Sequence, residues 1–197
     1  MPADVDPTSP DSPDSVARAV PAEAAGSLPW RPLAGALDLV ADPVAAAALA
    51  GLAPSARVAA IDASLADTAA FCDAYGVAPE HSANCVVIAG RRGEVTRYAA
   101  VLVLATMRAD VNGVVRKHLD VRKCSFAPRE DAVALTGMEF GGITPVGLPA
   151  DWPVLVDEAV LAAGHVVIGS GLRRSKLLID SADLLALPGA TRLVLAS

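Results

Sequence analysis

Aromatic residues make up only 4% of the 197-residue chain, although 53% of it is hydrophobic. A core of large rings is thereby excluded, and Ala, Val and Leu must supply most of the buried surface. Long hydrophobic runs are lacking too. Nowhere do about eighteen uncharged apolar residues follow one another, the length that a membrane-spanning helix needs. The richest stretch, Val44 to Ala53, is short, Ala-heavy and preceded by Asp42-Pro43. The N-terminus has no basic start ahead of an apolar segment, so a secretory signal is not read there. Cysteine is scarce: Cys72, Cys85 and Cys124 form no CxxC pair and suggest no disulfide framework. No His/Cys/carboxylate cluster has metal-ligand spacing, so no metal or other cofactor is expected. These absences point to a cytoplasmic protein with no membrane partner.

The length suits one domain with a sizeable core. Residues 1–27 are rich in Pro, Ser, Asp and Ala, with almost no large hydrophobe before Leu28. They are expected to form a disordered acidic tail, and residues 28–197 a single domain. The tail carries Asp4, Asp6, Asp11, Asp14 and Glu23 against Arg18 alone, so most of the net charge of −6 sits there. Basic residues concentrate between Arg91 and Arg129, with Arg173, Arg174 and Lys176 later. They make either ordinary solvated charge or one face for a phosphate backbone.

Short helices are expected over Ala34–Val40 and Pro43–Leu52, the second capped by Asp42, and strand over Arg57–Asp62. Ser64–Tyr75 has helical apolar spacing and ends at Gly76. Cys85–Ala89 and Tyr98–Ala105 read as strands joined by a hairpin through Gly90–Glu94. Asp110–Leu119 and Pro128–Leu135 read as helices. Further strands are expected at Pro153–Asp157, Val166–Gly169, Lys176–Ile179 and Arg192–Leu195, with a helix from Ser181 to Leu187. Paired strands interrupted by helices, without a strict βαβ rhythm, give an α+β fold with a mixed, partly closed, barrel-like sheet and flanking helices. His81, His118 and His165 read as satisfied or surface histidines, and Cys85 as a small buried hydrophobe.

The stretch from Met138 to Pro149 draws most attention. It places Gly141, Gly142 and Gly147 with Pro145 and Pro149 between a helix-like and a strand-like run. Glycines allow a ligand to approach the main chain, and prolines stiffen it while withdrawing donors. Such a loop is either a tight crossover or a rigid holder for a carbonyl or phosphate oxygen.

Four features stand in a recognisable order: Ala134-Leu135-Thr136-Gly137, the G-x-x-x-P of Gly141 and Pro145 with trailing Gly147, Leu155-Val156-Asp157-Glu158, and the Gly169-Ser170-Gly171 turn before Leu177-Leu178-Ile179. Over roughly residues 55–190 the chain resembles the YbaK/prolyl-tRNA synthetase-associated domain family, whose members include aminoacyl-tRNA deacylases. The resemblance implies hydrolysis of the ester of misacylated tRNA, a second sieve after charging. The partners it implies are the aminoacylated 3′ end of tRNA and an aminoacyl-tRNA synthetase. It assigns substrate contact to the backbone of Gly141, orientation of the amino acid to Asp157, which could equally cap a strand end, and pocket positions to Gly142, Thr144, Pro145, Gly147, Ser170 and Gly171. One position departs from the pattern: relatives carry lysine where Asn84 stands. Asparagine can hydrogen-bond the ester or a ribose hydroxyl without bringing charge. Arg97 or Arg108 would then have to replace the charge, or the domain binds a tRNA end or aminoacyl group without hydrolysing it. Hydrolysis of another small ester is a third reading.

Overall fold

The structure is a computed structural model that describes residues 19–196. Its strands in chain order are β1 (Arg31–Pro32), β2 (Arg57–Ala60), β3 (Ala83–Arg92), β4 (Val95–Leu104), β5 (Lys123–Phe126), β6 (Val154–Asp157), β7 (His165–Gly169), β8 (Ser175–Asp180) and β9 (Ala190–Leu193). The α-helices are α1 (Ala22–Ala25), α2 (Asp42–Leu49), α3 (Thr68–Tyr75), α4 (Arg116–His118), α5 (Arg129–Thr136), α6 (Glu158–Ala162) and α7 (Ser181–Leu185). A π-helical turn, Val111–Val115, runs into α4.

The β3–β4 hairpin organises the larger sheet. Its two ten-residue strands turn through Gly93, whose φ of 64° suits the tight connection. From Ala99 to Leu104 β4 is apolar without interruption because both its faces are covered there. Ala100, Leu102 and Leu104 enter one core with Val87, Val154 and Val156. Ala99, Val101 and Val103 enter a second with Val111, Val115 and Leu119 from the segment leading into α4. This sheet runs β5-β3-β4-β6-β9, antiparallel on the β5 side and parallel from β4 through β9. The smaller sheet, β1-β2-β8-β7, is antiparallel throughout. One bridge between Ser82 and Val167 joins the two. The fold is α+β with two sheets meeting at a seam, not a closed barrel.

Several local expectations shift. The segment 34–40 forms two 3-10 turns, Leu33–Gly35 and Leu37–Leu39, in place of a helix. Asp42 lies inside α2 and Ala41 is its cap. Asp180, not Ser181, caps α7 by accepting from the Ala182 N–H. Part of the expected tail is packed: Ala24 is fully buried, and the Trp30 indole N–H donates to the Ala25 carbonyl at 2.6 Å. Residues 1–18 and 197 lie outside the described residues. Among the described residues, no helix is long and apolar enough to cross a membrane.

Candidate active site

At the seam between the sheets lies a cavity of about 430 Å³. Its walls come from the start of β3, the entry to α3, the loop after α5 and the facing ends of β7 and β8. Small apolar side chains such as Ala83, Val87, Ala132 and Ile143 line much of it. Polar groups enter at Asp67, Thr68, Asn84 and Lys176. Phe126 and Phe140 stand at its mouth, 64% and 49% exposed, and the Arg129 guanidinium lies 5.1 Å from the centre of the Phe140 ring.

Asn84 is held by α3. The Thr68 hydroxyl donates to its Oδ1 at 2.6 Å, which leaves the Nδ2 hydrogens without a protein acceptor. An amide fixed in this way offers donors to a ligand oxygen. Cys85 follows it on the wall, and burial pushes its thiol up to about 12. A thiol that weakly acidic is not a nucleophile near neutrality. Its reading as a small hydrophobe stands.

Gly141 sits on the opposite loop at φ 86°, a conformation open to glycine and strained for other residues. A side chain there would also collide with the Arg173 guanidinium. The Gly141 N–H makes no hydrogen bond within the protein. The loop is fastened to the β7–β8 turn behind it. Glu139 N–H donates to the Gly171 carbonyl at 2.8 Å, Gly171 N–H donates to the Gly142 carbonyl at 2.7 Å, and Arg173 N–H donates to the Glu139 carboxylate at 2.6 Å. The backbones come so close that a Cβ on Gly169 would meet the Gly142 and Ile143 carbonyls. The loop is both a crossover and a rigid edge to the cavity.

Lys176, read from the sequence only as part of a basic face or as solvated charge, is instead buried beside the cavity. It is 8% exposed, lies opposite Gly169 in the β7–β8 ladder and reaches the cavity wall. Its ammonium donates to the Ala66 carbonyl at 2.8 Å and sits 5.2 Å from the centre of the Phe71 ring. Burial is the main reason its pKa falls to about 8; the Cys72 sulfur nearby opposes the fall, Arg173 adds to it and Asp67 opposes it. Arg97 and Arg108 line no part of the cavity. Arg97 lies opposite Gly90, near the far end of the hairpin, and donates to the Leu119 carbonyl at 2.9 Å, whereas Arg108 is exposed beyond β4. The basic cluster expected over residues 91–129 gathers partly around that hairpin end, where Arg91 pairs with Lys123 in the ladder and Arg92 with Asp120 as an ion pair.

Of the residues singled out from sequence, Asn84 and Gly141 meet at the cavity. Asp157 does not. Its Oδ1 accepts from the Ala159 N–H at 2.8 Å, capping α6, and its Oδ2 accepts from the Leu195 and Ala196 N–H groups at 2.7 and 3.1 Å. With both oxygens engaged and 2% exposure, it fastens the end of the chain to β6. Gly142, Thr144, Pro145, Gly147, Ser170 and Gly171 stand behind the wall instead of on it. The Ser170 hydroxyl is engaged with Ser175 and with the Leu172 carbonyl, as the turn requires. Among the described residues, no three His, Cys or acidic side chains are grouped to hold a metal ion.

Two sheets meet at a cavity edged by a glycine loop, with an amide fixed at one wall and a buried lysine at another, so the polar groups that enter it are mainly donors. The profile of the aminoacyl-tRNA editing domain matches residues 62–187, which span the cavity, and the chain belongs to that family. A candidate trans-editing enzyme for prolyl-tRNA synthetase superposes with a TM-score of 0.68 at 25% identity, over 79% of this chain and 95% of its own. A scaffold used for epitope backbone grafting by computational design gives 0.69 at 25% identity, over 80% and 97%. A hypothetical protein at 22% identity shares the fold with a TM-score of 0.63, over 72% and 91%. No curated protein matches the sequence significantly.

Proposed function

We propose that the protein hydrolyses the ester of misacylated tRNA in trans, receiving its substrate after release from an aminoacyl-tRNA synthetase. The observation that carries this reading is the meeting of Asn84 and Gly141 at one cavity, each with N–H groups that the protein leaves unbonded. Donors fixed in advance, in a site partly closed to water, stabilise the charge that develops on an ester carbonyl. Water attacks the carbonyl carbon, the ester C–O bond breaks, and the ribose oxygen leaves with a proton. The vicinal ribose hydroxyl lies beside the reacting carbonyl by the substrate's own chemistry, and the enzyme's task is to hold and polarise the ester. The small apolar wall receives the amino-acid side chain. Phe140 with Arg129, and Phe126 across the mouth, offer flat faces to the terminal base.

The test is deacylation of a panel of mischarged tRNAs by the wild-type chain and by Asn84→Ala. Rapid release of one amino acid, reduced at least tenfold in Asn84→Ala, is the expected result. Binding of tRNA with no release from any substrate would replace this reading with a binding module of the same fold. Failure to bind tRNA at all would point to another small ester.

A further inference from the structure

We propose that Lys176 supplies the positive charge of this pocket, donating from β8 to the ester carbonyl oxygen as the tetrahedral intermediate forms. This rests on the deacylase reading above and adds a residue to it. Lys176 is the one buried cation among the described residues. No carboxylate lies within ion-pairing distance of it. The nearby acid, Asp67, is instead 3.4 Å from Arg173. A buried ammonium without a counter-ion is costly to keep, and proteins place such groups where a ligand supplies the missing charge. The cavity it lines is the place where that charge can come from.

Hydrogen bonding agrees. An ammonium has three N–H donors, and one is taken by the Ala66 carbonyl at 2.8 Å. The Phe71 ring, 5.2 Å away, covers another side of the group. No other protein acceptor engages it, so a donor remains for an oxygen in the cavity. The other basic candidates are committed elsewhere. Arg173 spans from the Ala63 carbonyl to Asp67, and Arg129 lies over Phe140 at the mouth. In the reaction, water adds to the carbonyl carbon and the carbonyl electron pair moves onto oxygen, where the lysine N–H stabilises it. Collapse of the intermediate breaks the bond to the ribose oxygen, which departs with the proton given up by water. The lysine keeps its own proton throughout. Wall geometry explains how Asn84 can serve without charge: the amide orients the ester from β3 while the cation acts from β8.

The experiment is single-turnover deacylation of the tRNA that the wild type hydrolyses fastest, between pH 6 and pH 9.5, with spontaneous hydrolysis subtracted. Lys176→Met and Lys176→Arg are compared with wild type. Lys176→Met is expected to lose on the order of 10²- to 10³-fold in kcat with KM changed less than about threefold. The wild-type rate is expected to fall as pH rises through about 8, where the ammonium discharges. Lys176→Arg should recover part of the activity and lose that descent, since a guanidinium stays charged. The wild-type profile needs no variant to fold, and a rate still rising through pH 9 overturns the proposal. So does a folded Lys176→Met within about threefold of wild type, which removes this inference alone. A wild type inactive on every aminoacyl-tRNA removes the deacylase reading and the inference together.

Discussion

Replacing Gly141 by alanine separates the loop's chemical role from its structural one. At φ 86°, an alanine is strained by about 1–2 kcal/mol. Its methyl would also run into the Arg173 guanidinium. Arg173 can swing aside because it is a partly exposed side chain. Doing so gives up its 3.4 Å contact with Asp67 and its 3.2 Å bond to the Ala63 carbonyl. An exposed ion pair of this kind contributes about 0–1 kcal/mol. The total loss of stability is then about 2 kcal/mol, which for a domain of this size lowers the melting temperature by about 4–8 °C. The fold survives, because the backbone bonds joining Glu139, Gly142 and Gly171 do not involve position 141. Activity should suffer far more. Removing or misaiming one donor at a developing oxyanion costs on the order of 10²- to 10³-fold in kcat. Thermal melts followed by circular dichroism give the first quantity, and single-turnover deacylation well below the melting temperature gives the second. Hydrolysis within about threefold of wild type, alongside the lowered melting point, would show that the Gly141 N–H does not touch the substrate. An unchanged melting point would show that the strain has been misjudged.

Phe140→Ala removes a face on which the terminal base can stack. KM for aminoacyl-tRNA should rise about tenfold for a stacking contribution of roughly 1–3 kcal/mol, with kcat nearly unchanged, and a KM within twofold would place the base elsewhere. Asp157→Asn presents an amide to backbone donors that a carboxylate now accepts. Urea melts should show about 3 kcal/mol lost, with the activity per folded molecule within twofold of wild type; a selective fall in kcat would return Asp157 to the chemistry. Stability should also depend on pH through Lys176, whose pKa of about 8 in the folded protein lies below its ordinary 10.5. Between these values the unfolded chain binds more protons than the folded one, so unfolding free energy rises with pH across that window. Below about pH 8 the full penalty, about 3 kcal/mol, is present. Lys176→Met should therefore be the more stable protein at pH 7, with its advantage shrinking between pH 8 and 10, and parallel urea curves at pH 7, 9 and 10 would contradict this.

The strands that were plain in the sequence are those whose surroundings leave a mark on composition. β4 is apolar at every position from Ala99 to Leu104 because two cores claim its two faces there, and Gly76 stops α3 with a left-handed φ of 67°. β5 was harder to see: Lys123, Cys124, Ser125 and Phe126 alternate polar and apolar, but the run is only four residues long and Cys124 alone is buried. Gly141 could be picked out because a glycine pair before a proline breaks a local expectation, and Asn84 because it stands where the resembled family carries lysine. Lys176 breaks none. At the start of an apolar strand it reads as an ordinary charged flank, and its burial depends on α3 and Phe71, about a hundred residues earlier in the chain. Asp157 shows the reverse failure. A carboxylate ending an apolar strand resembles a site residue, and the backbone donors of Leu195 and Ala196 that occupy it arrive from the far end of the described chain.

The single bridge between Ser82 and Val167 has a consequence for inactivation. The main apolar core is shared, with Val87, Leu102 and Val156 of the larger sheet packed among Val58, Ile168 and Leu177 of the smaller, but the cavity beside it depends on how closely the two are docked. Asn84 belongs to one sheet and Lys176 to the other, so a slight parting at the seam separates them while nearly all secondary structure persists. On gradual heating or with rising urea, hydrolysis should thus disappear at a lower midpoint than the circular dichroism signal. The same loosening is a way for a bulky 3′ end to enter and for the freed amino acid to depart.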